Sequence, residues 1–257
     1  MIICKSANEI HLMQKAGAVV AEVLLQLEKN LKPGIQTAFL DRIAENIITR
    51  RNALPAFKGY IGKLSSKPFP ASICVSVNEE VVHGIPGKRL IKDGDLVSID
   101  VGVRINGFFS DAARSYKIGN VSKRIDELYS ATLDALNLSI DKCFIGNRVS
   151  DISHAIESRA VKDNFSVVKV FVGHGIGKKM HEDPQILNYG PPGQGPLLKK
   201  GMVLAIEPML NIGTSSVEVL DDCWTVVTSD RECSCHFEDT IAITENGPLI
   251  LTRIENL

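Results

Sequence analysis

The fold follows from two stretches of nine residues, Lys92-Asp-Gly-Asp-Leu-Val-Ser-Ile-Asp100 and Lys199-Lys-Gly-Met-Val-Leu-Ala-Ile-Glu207. They align without a gap, and a His-Gly-Ile triplet lies upstream of each one, beginning at His83 and at His174. Each stretch leads from Lys and Gly into an apolar run that ends in a carboxylate. Matches that recur in the same order indicate an internal duplication with a period of about 110 residues.

The pattern of secondary structure repeats as well. In the first half, hydrophobic spacing predicts helices over residues 6–31 and 37–51 and strands over 72–77, 95–103 and 108–117. In the second half it predicts helices over 122–143 and 150–161 and extended segments over 167–172, 202–206, 217–227 and 236–244. The Asn106-Gly107 pair predicts a hairpin. Two successive sets of helix, helix and sheet predict one α+β domain over residues 1–257, with an antiparallel sheet flanked by helices and pseudo-repeats over about 1–120 and 121–257.

Composition and charge exclude several classes of protein. The chain has 257 residues and a formal net charge of -1, so it lacks the basic excess with which a dedicated nucleic-acid binder neutralises phosphates. We expect no signal peptide and no membrane segment, because no stretch reaches the ~20 apolar residues that span a bilayer. Six cysteines scattered through the chain are typical of reduced thiols. These features predict a cytoplasmic protein without sequence-specific contact with nucleic acid.

Each repeat places a carboxylate at the end of an apolar strand, Asp100 in the first and Glu207 in the second. A buried carboxylate needs a cation or hydrogen-bond partners, because desolvation destabilises its charged form. Asp111 follows the predicted hairpin turn, Glu238 lies in a later extended segment, and His174 is surrounded by glycines. Four carboxylates at one point would repel one another unless about two divalent cations neutralise them.

This set of donor groups indicates both the metal and the reaction. Carboxylate oxygens with a single imidazole suit Mn, Fe, Co or catalytic Zn, whereas structural zinc prefers thiolates. A pair of such ions activates a bridging water and polarises a carbonyl or phosphoryl oxygen, so hydrolysis is expected. A structural zinc cluster is disfavoured, because the paired Cys-x2-Cys spacing of zinc ribbons is missing from Cys223, Cys233, Cys235 and His236.

Five motifs, taken in their order along the chain, resemble one family. They are His83-Gly-Ile-Pro86, Asp100 with ten residues before Asp111, Gly173-His174-Gly-Ile-Gly177, Ile206-Glu207-Pro208-Met209, and the late Glu238. The set is similar to type I methionine aminopeptidases of the short bacterial kind, over nearly the whole chain. The resemblance implies the internally duplicated pita-bread fold with a metal site between its halves. It also implies removal of the initiator methionine from nascent chains whose second residue is small, by a metal-bridging hydroxide.

The resemblance further implies roles for individual residues. Two divalent ions would be held by Asp100, Asp111, His174, Glu207 and Glu238, with Asp111 and Glu238 as bridging ligands. Catalysis would use His83 beside the scissile amide, His181 at the substrate carbonyl, and Glu207. The partners would be N-terminal methionyl peptides, contact with the ribosome is compatible with the family, and a monomer is expected.

A pocket for the methionine side chain is also implied, with Cys74 and Trp224 at matching positions. Phe69 stands where the family often has Tyr, and Met180 where bacterial members often have Phe. The stretch Lys63–Lys67 resembles a short insertion in the loop over this pocket. These departures leave the metal ligands unchanged and affect only the fine specificity.

Two other functions stay open at this point. Proline-specific aminopeptidases and prolidases share the scaffold and the ligands but in general carry a substantial extra N-terminal domain, whereas the first predicted strand here begins at Ser72. Metal-free binding modules of the same fold lose ligands, and all five ligand candidates are present here. Three histidines have no partner in the repeat and stay unassigned: His11, His154 and His236.

Overall fold

Two helices open the chain in the computed structural model, which describes residues 1–62 and 67–253. Helix α1 (Ala7–Asn30) begins after Ser6, whose hydroxyl accepts the Glu9 backbone N–H at 3.3 Å, while the Glu9 carboxylate accepts the Ser6 N–H at 3.0 Å. This capping box satisfies two donors that a helix start leaves unpaired. Helix α2 (Thr37–Arg50) follows. The insertion predicted at residues 63–67 lies outside the described residues, apart from Lys67.

Helix α1 is long and apolar enough to cross a membrane, judged by length and composition alone. Nine of its residues are buried, however, and Val20, Leu24 and Leu27 pack into the hydrophobic core of the first half. A core helix passes the same test of length and composition, and its burial identifies α1 as such a helix.

A long hairpin organises the first half. The strands are β1 (Leu54–Pro55), β2 (Ile73–Val77), β3 (Glu80–Val82), β4 (Leu96–Ile105) and β5 (Phe108–Lys117). Strand β4 pairs with β5 along its whole length and with β1 and β2 along its other edge. The predicted Asn106-Gly107 turn joins β4 to β5 with φ values of 51° and 84°, as a type I′ turn requires. The predicted hairpin is therefore confirmed.

The second half again begins with two helices, α3 (Lys123–Ile140) and α4 (Val149–Lys162). Its strands are β6 (Ser166–Val167), β7 (Gly173–Gly175), β8 (Glu182–Ile186), β9 (Val203–Ile206), β10 (Met209–Asn211), β11 (Val217–Val219), β12 (Val226–Thr228), β13 (Ser234–His236), β14 (Asp239–Thr244) and β15 (Gly247–Ile250). They form a sheet in the order β15-β14-β9-β7-β8, a sheet β13-β10-β6, and a third, β11-β12-β3, that takes β3 from the first half. The strand pairs in the described part of the chain are all antiparallel.

Each half has its own hydrophobic core. Helices α1 and α2 pack on the first sheet through residues such as Leu24, Ile48 and Ile99. Helices α3 and α4 pack on β9 and β14 through residues such as Leu136 and Ile241. The result is the expected α+β arrangement of antiparallel sheets flanked by helices, and backbone hydrogen bonds between Ala113 and Glu238 join the two halves.

The segment predicted as one strand over 217–227 is instead a hairpin of β11 and β12. Between them the Asp222 carboxylate accepts the backbone N–H groups of Trp224 and Thr225, each at 2.8 Å. Cys223 takes a left-handed conformation with φ of 69°. Side-chain acceptance of backbone N–H groups by Asp stabilises a turn at the expense of an extended strand, so the continuous strand prediction was wrong here.

Two other predicted segments also needed correction, and several short strands were not predicted. Of the extended segment predicted over 167–172, only Val167 lies in a strand, β6, and β7 begins just after the segment. The segment predicted over 236–244 is interrupted at Phe237 and Glu238, between β13 and β14. Six strands were not predicted, because they are short and, in β8, contain Pro184 instead of an alternating pattern: β1, β3, β7, β8, β10 and β15.

Candidate metal centre and substrate cavity

The candidate metal ligands lie where strands of the two halves meet. Asp100 and Asp111 lie on the paired strands β4 and β5, with Asp100 opposite Ala113. Glu238, just before β14, exchanges two backbone hydrogen bonds with Ala113, at 3.0 and 3.3 Å. Glu207 directly follows β9, the neighbour of β14 in the sheet. Backbone pairing between the halves thus brings carboxylates from both of them to one place.

His174, on β7, is oriented as a metal ligand would be. Its Nδ1 lies 2.9 Å from the carbonyl oxygen of Gly175, so Nδ1–H donates there and the lone pair remains on Nε2. Nε2 lies 3.7 Å from Asp111 Oδ2 and 3.6 Å from Glu207 Oε1. Asp111, His174 and Glu238 offer ligand atoms that lie within 4.8 Å of one another. Carboxylate oxygens with one imidazole are the donors that divalent Mn, Fe, Co or catalytic Zn accept.

The electrostatics of the cluster also fit a cation. Burial raises the pKa of Asp100, Glu207 and Glu238 well above the usual range, and repulsion between neighbouring carboxylates adds to this. Burial raises the pKa of Asp111 to about 6 and lowers the pKa of His174 to about 4, so the imidazole is neutral. Oδ1 of Asp100 is buried without a hydrogen-bond partner among the described residues. A divalent cation would satisfy this oxygen and relieve the repulsion.

A buried ion cluster holds the strand start beside Glu238. Asp239 is fully buried, and its carboxylate accepts hydrogen bonds from Arg114 at 2.6 Å, Arg253 at 3.0 Å and the Thr252 hydroxyl at 2.7 Å. Arg114 lies on β5, so this cluster ties the first half to the strand that Glu238 precedes. Hydrogen bonds to a charged group are stronger than neutral ones, which keeps Glu238 at a fixed distance from the first-half carboxylates.

One cavity of about 1370 Å³ is lined by every residue that the sequence predictions assigned to the site. The metal-ligand candidates in its lining are Asp100, Asp111, His174, Glu207 and Glu238. The substrate and catalytic candidates in its lining are Phe69, Cys74, His83, Met180, His181 and Trp224. Motifs from both halves therefore converge on a single cavity.

The apolar side of this cavity is a small buried cluster of Phe69, Ala71, Cys74 and Trp224, called the pocket wall below. The rings of Phe69 and Trp224 meet edge to face with centroids 5.2 Å apart, and the indole N–H of Trp224 donates to the Lys67 carbonyl at 3.0 Å. Burial raises the pKa of the Cys74 thiol well above its usual range. A neutral thiol packs as a small apolar group, so the wall is suited to an apolar side chain.

Two histidines line the cavity between the wall and the carboxylates. The ring of His83 lies 6.0 Å from that of Trp224, and burial lowers the pKa of His83 to about 4. Its φ of 60° is left-handed, a conformation that is uncommon outside glycine and that clusters at functional sites. The His181 ring centroid lies 4.4 Å from that of His174, and its Nδ1 lies 2.8 Å from the Tyr60 hydroxyl.

Two residues at the site have no role among the sequence predictions, which leave His236 unassigned and do not mention Tyr60. His236 is buried with Nε2 4.0 Å from Glu207 Oε2, and this nitrogen lacks a hydrogen-bond partner within residues 1–62 and 67–253. The period of two along an extended segment could have placed His236 near Glu238. Tyr60 contacts His181 over a separation of 121 positions, and no sequence signal indicates this contact.

Comparison with known proteins supports the family resemblance inferred from the five motifs. The sequence matches metallopeptidase family M24 over residues 11–245. It is 52% identical over 255 residues to the methionine aminopeptidase of Clostridium perfringens, covering 99% of this chain and 100% of that protein. It is also 52% identical over 254 residues to methionine aminopeptidase 1 of Bacillus subtilis, with 99% and 100% covered.

Solved structures agree with the sequence matches. The methionine aminopeptidase of Thermotoga maritima has a TM-score of 0.94 and 44% identity, covering 98% of this chain and 100% of that chain. The prolidase of Pyrococcus furiosus, at 23% identity and a TM-score of 0.74, shares the fold, and the match spans 65% of that longer chain. The predicted pita-bread fold and the resemblance inferred from the five motifs are confirmed. The chain belongs to metallopeptidase family M24.

Proposed function

We propose that this protein removes the initiator methionine from nascent chains whose second residue is small. It is an aminopeptidase of family M24, since whole-chain relatives at 52% identity are methionine aminopeptidases. The observation that carries the proposal is one cavity in which a buried carboxylate cluster lies beside an apolar wall. The cluster suits metal-assisted hydrolysis, and the wall suits an unbranched thioether side chain.

The proposed cofactor is a pair of divalent ions, Co, Mn, Fe or Zn, held by Asp100, Asp111, His174, Glu207 and Glu238. Asp111 and Glu238 are proposed to be shared between the two ions. The bound ions would polarise the scissile carbonyl and lower the pKa of water. Two observations support this assignment: the unpartnered Oδ1 of Asp100, and the raised carboxyl pKa values, which a cation would reverse.

Three side chains are proposed to act on the substrate. His181 donates a hydrogen bond to the substrate carbonyl oxygen, where negative charge grows during attack. His83 contacts the scissile amide, and the low pKa of its imidazole keeps it neutral, so that it can both donate and accept. Glu207 takes up the proton released by the attacking water, because its carboxylate lies inside the cluster, with Oε1 3.6 Å from Nε2 of His174.

The methionine side chain is proposed to lie against the pocket wall and Met180. Contact between a thioether sulfur and an aromatic ring contributes ~0.3–1.5 kcal/mol, and Trp224 and Phe69 offer such rings. Branched or charged side chains would lose this contact or bury a charge. The wall therefore supports selection of methionine at the first position of the substrate.

We further propose that residues 1–257 act as one catalytic domain with pseudo-repeats over about 1–120 and 121–257. The supporting observation is that ligand candidates from both halves line the same cavity. We propose that the protein works as a monomer in the cytoplasm, where its six free cysteines stay reduced. Its partners would be the N-terminal methionyl peptides of nascent chains, met at the ribosome.

Hydrolysis of Met-Ala-Ser and Ala-Pro peptides by protein reconstituted separately with Co, Mn, Fe and Zn tests the proposal. We expect metal-dependent cleavage of Met-Ala-Ser, its loss after chelation, and no cleavage of Ala-Pro. Cleavage of Ala-Pro alone would identify a prolidase instead. Absence of metal binding together with absence of cleavage would identify a metal-free binding module.

A further inference from the structure

His181 is held by a hydrogen bond to a tyrosine that no motif predicts. Its Nδ1 lies 2.8 Å from the hydroxyl oxygen of Tyr60, and the two ring centroids are 5.4 Å apart at an interplanar angle of 56°. A neutral imidazole has one N–H donor and one acceptor nitrogen. The hydrogen bond that one nitrogen makes decides which of them carries the proton. The direction of the Tyr60 contact therefore decides which nitrogen of His181 is the donor and which is the acceptor.

The tyrosine is the donor in this contact. Tyr60 is partly buried, and burial raises the pKa of its phenol above the usual range, so the hydroxyl keeps its proton at neutral pH. The lone pair of an imidazole nitrogen accepts a hydrogen bond more readily than a phenol oxygen does, because the nitrogen is the stronger base. In a neutral His181 ring the O–H of Tyr60 therefore donates to Nδ1, and Nε2 carries the single proton.

The role proposed for His181 requires an N–H donor on Nε2, the ring nitrogen that does not contact Tyr60. His181 packs against His174, a metal-ligand candidate, and both line the cavity together with His83. We propose that Tyr60 is a positioning residue that holds His181 in the tautomer with its proton on Nε2, so that this N–H donates to the substrate carbonyl oxygen. The inference rests on the role given to His181 under the proposed function.

Tyr60 is in turn held by the segment that supports the pocket wall. Its carbonyl accepts the N–H of Phe69 at 2.8 Å, and the N–H of Gly59 donates to the Phe69 carbonyl at 2.8 Å. Gly62 lies so close to the Trp224 ring that a Cβ on it would be 3.1 Å away. One short segment therefore carries the tyrosine hydroxyl, pairs through its backbone with Phe69 and lies against the Trp224 ring.

Tyr60→Phe removes the hydroxyl and keeps the ring, so it isolates the hydrogen bond. Nitrogen-15 NMR of the histidine side chains in the zinc-loaded protein distinguishes the tautomers, because protonated and unprotonated ring nitrogens resonate far apart. His181→Ala identifies the His181 signals by their loss. We expect the wild type to hold only the Nε2–H tautomer and Tyr60→Phe to populate both. On Met-Ala-Ser we expect kcat to fall about tenfold and KM to stay within about twofold.

Tyr116→Phe is the matched control, because its hydroxyl donates to the Leu24 carbonyl at 3.3 Å, in the core of the first half. It should leave both the His181 signals and kcat unchanged. An Nδ1–H tautomer in the wild type, unchanged His181 signals in Tyr60→Phe, or a loss confined to KM would overturn the inference. A tautomer change without a fall in kcat would overturn it as well. Failure of the wild type to cleave Met-Ala-Ser would instead overturn the proposed function, and the NMR result would still test the hydrogen bond.

Discussion

The carboxylate cluster and the pocket wall share one cavity but are built differently. The ligand candidates lie on or directly beside strands β4, β5, β7, β9 and β14, where paired backbones fix each position. In the pocket wall only Cys74 lies on a strand, β2, whereas Phe69, Ala71 and Trp224 lie outside strands and depend on local hydrogen bonds, such as the one from the Trp224 N–H to Asp222. Sheet hydrogen bonds therefore hold the cluster in place, whereas most of the wall is held by the local hydrogen bonds of its turns. Changes in the cluster should abolish the chemistry, and changes in the wall should alter substrate binding.

The largest expected effect comes from breaking the cluster itself. Asp111→Asn or Glu238→Gln removes one carboxylate charge from the proposed bridging position, so metal affinity should fall at least about 100-fold and activity with it. Elemental analysis at limiting metal measures the bound ions. Asp126→Asn is the control, because this exposed carboxylate on α3 pairs with Lys117. Full metal occupancy in both cluster variants would refute the bridging assignment.

A change next to the cluster should separate chemistry from metal binding. His181→Ala is expected to keep its metal ions and lose kcat by ~10²–10³, because a single donor to a developing oxyanion is typically worth this much. Metal content and kcat on a methionyl tripeptide measure the two effects. His154→Ala, on the exposed face of α4, should change neither. An unchanged kcat in His181→Ala would show that the ring has a structural role only.

The cluster should also respond to pH in a way that the wall does not. Because burial raises the pKa of Asp100, Glu207 and Glu238 well above the usual range and that of Asp111 to about 6, the metal-free carboxyls keep their protons to higher pH than ordinary carboxyls do. Metal binding must displace these protons, so affinity rises with pH, by about tenfold per pH unit for each proton displaced. Titration with Mn at pH values from about 6 to about 7 measures this dependence. Asp111→Asn should flatten it, and a pH-independent Kd would contradict the assignment.

The smallest effect is expected at the pocket wall. Trp224 is the single tryptophan of the chain, so a methionine-like inhibitor should change the intrinsic fluorescence in a saturable way. Trp224→Ala should raise KM about tenfold with a smaller effect on kcat, since it removes the sulfur–aromatic contact and apolar area. Trp224→Phe keeps a ring and should raise KM less. Fluorescence that ignores the inhibitor, together with an unaltered KM, would place Trp224 in the core instead.

The two halves also differ in how far their structure could be predicted. The hairpin over 95–117 was predicted nearly as observed, because strand alternation and the Asn106-Gly107 turn act between neighbouring residues. In the second half, the prediction over 217–227 missed the turn at Asp222, and the three residues of β10 were missed altogether. Short strands are stabilised by their partners in the sheet more than by their own sequence. Local sequence patterns therefore predict the strands of the second half less well than those of the first.

The amino-acid pattern was sufficient for the α+β class, the repeated motifs and the chemical identity of the candidate ligands. These properties depend on residues close in sequence, where hydrophobic period and turn chemistry operate. Tertiary structure alone brought ligand atoms of Asp111, His174 and Glu238 within 4.8 Å of one another and placed the Tyr60 hydroxyl on His181. Such contacts join positions far apart in the chain, and no local preference specifies which distant strands will pair. The sequence supplied the groups, and folding decided their distances, their protonation and their orientation.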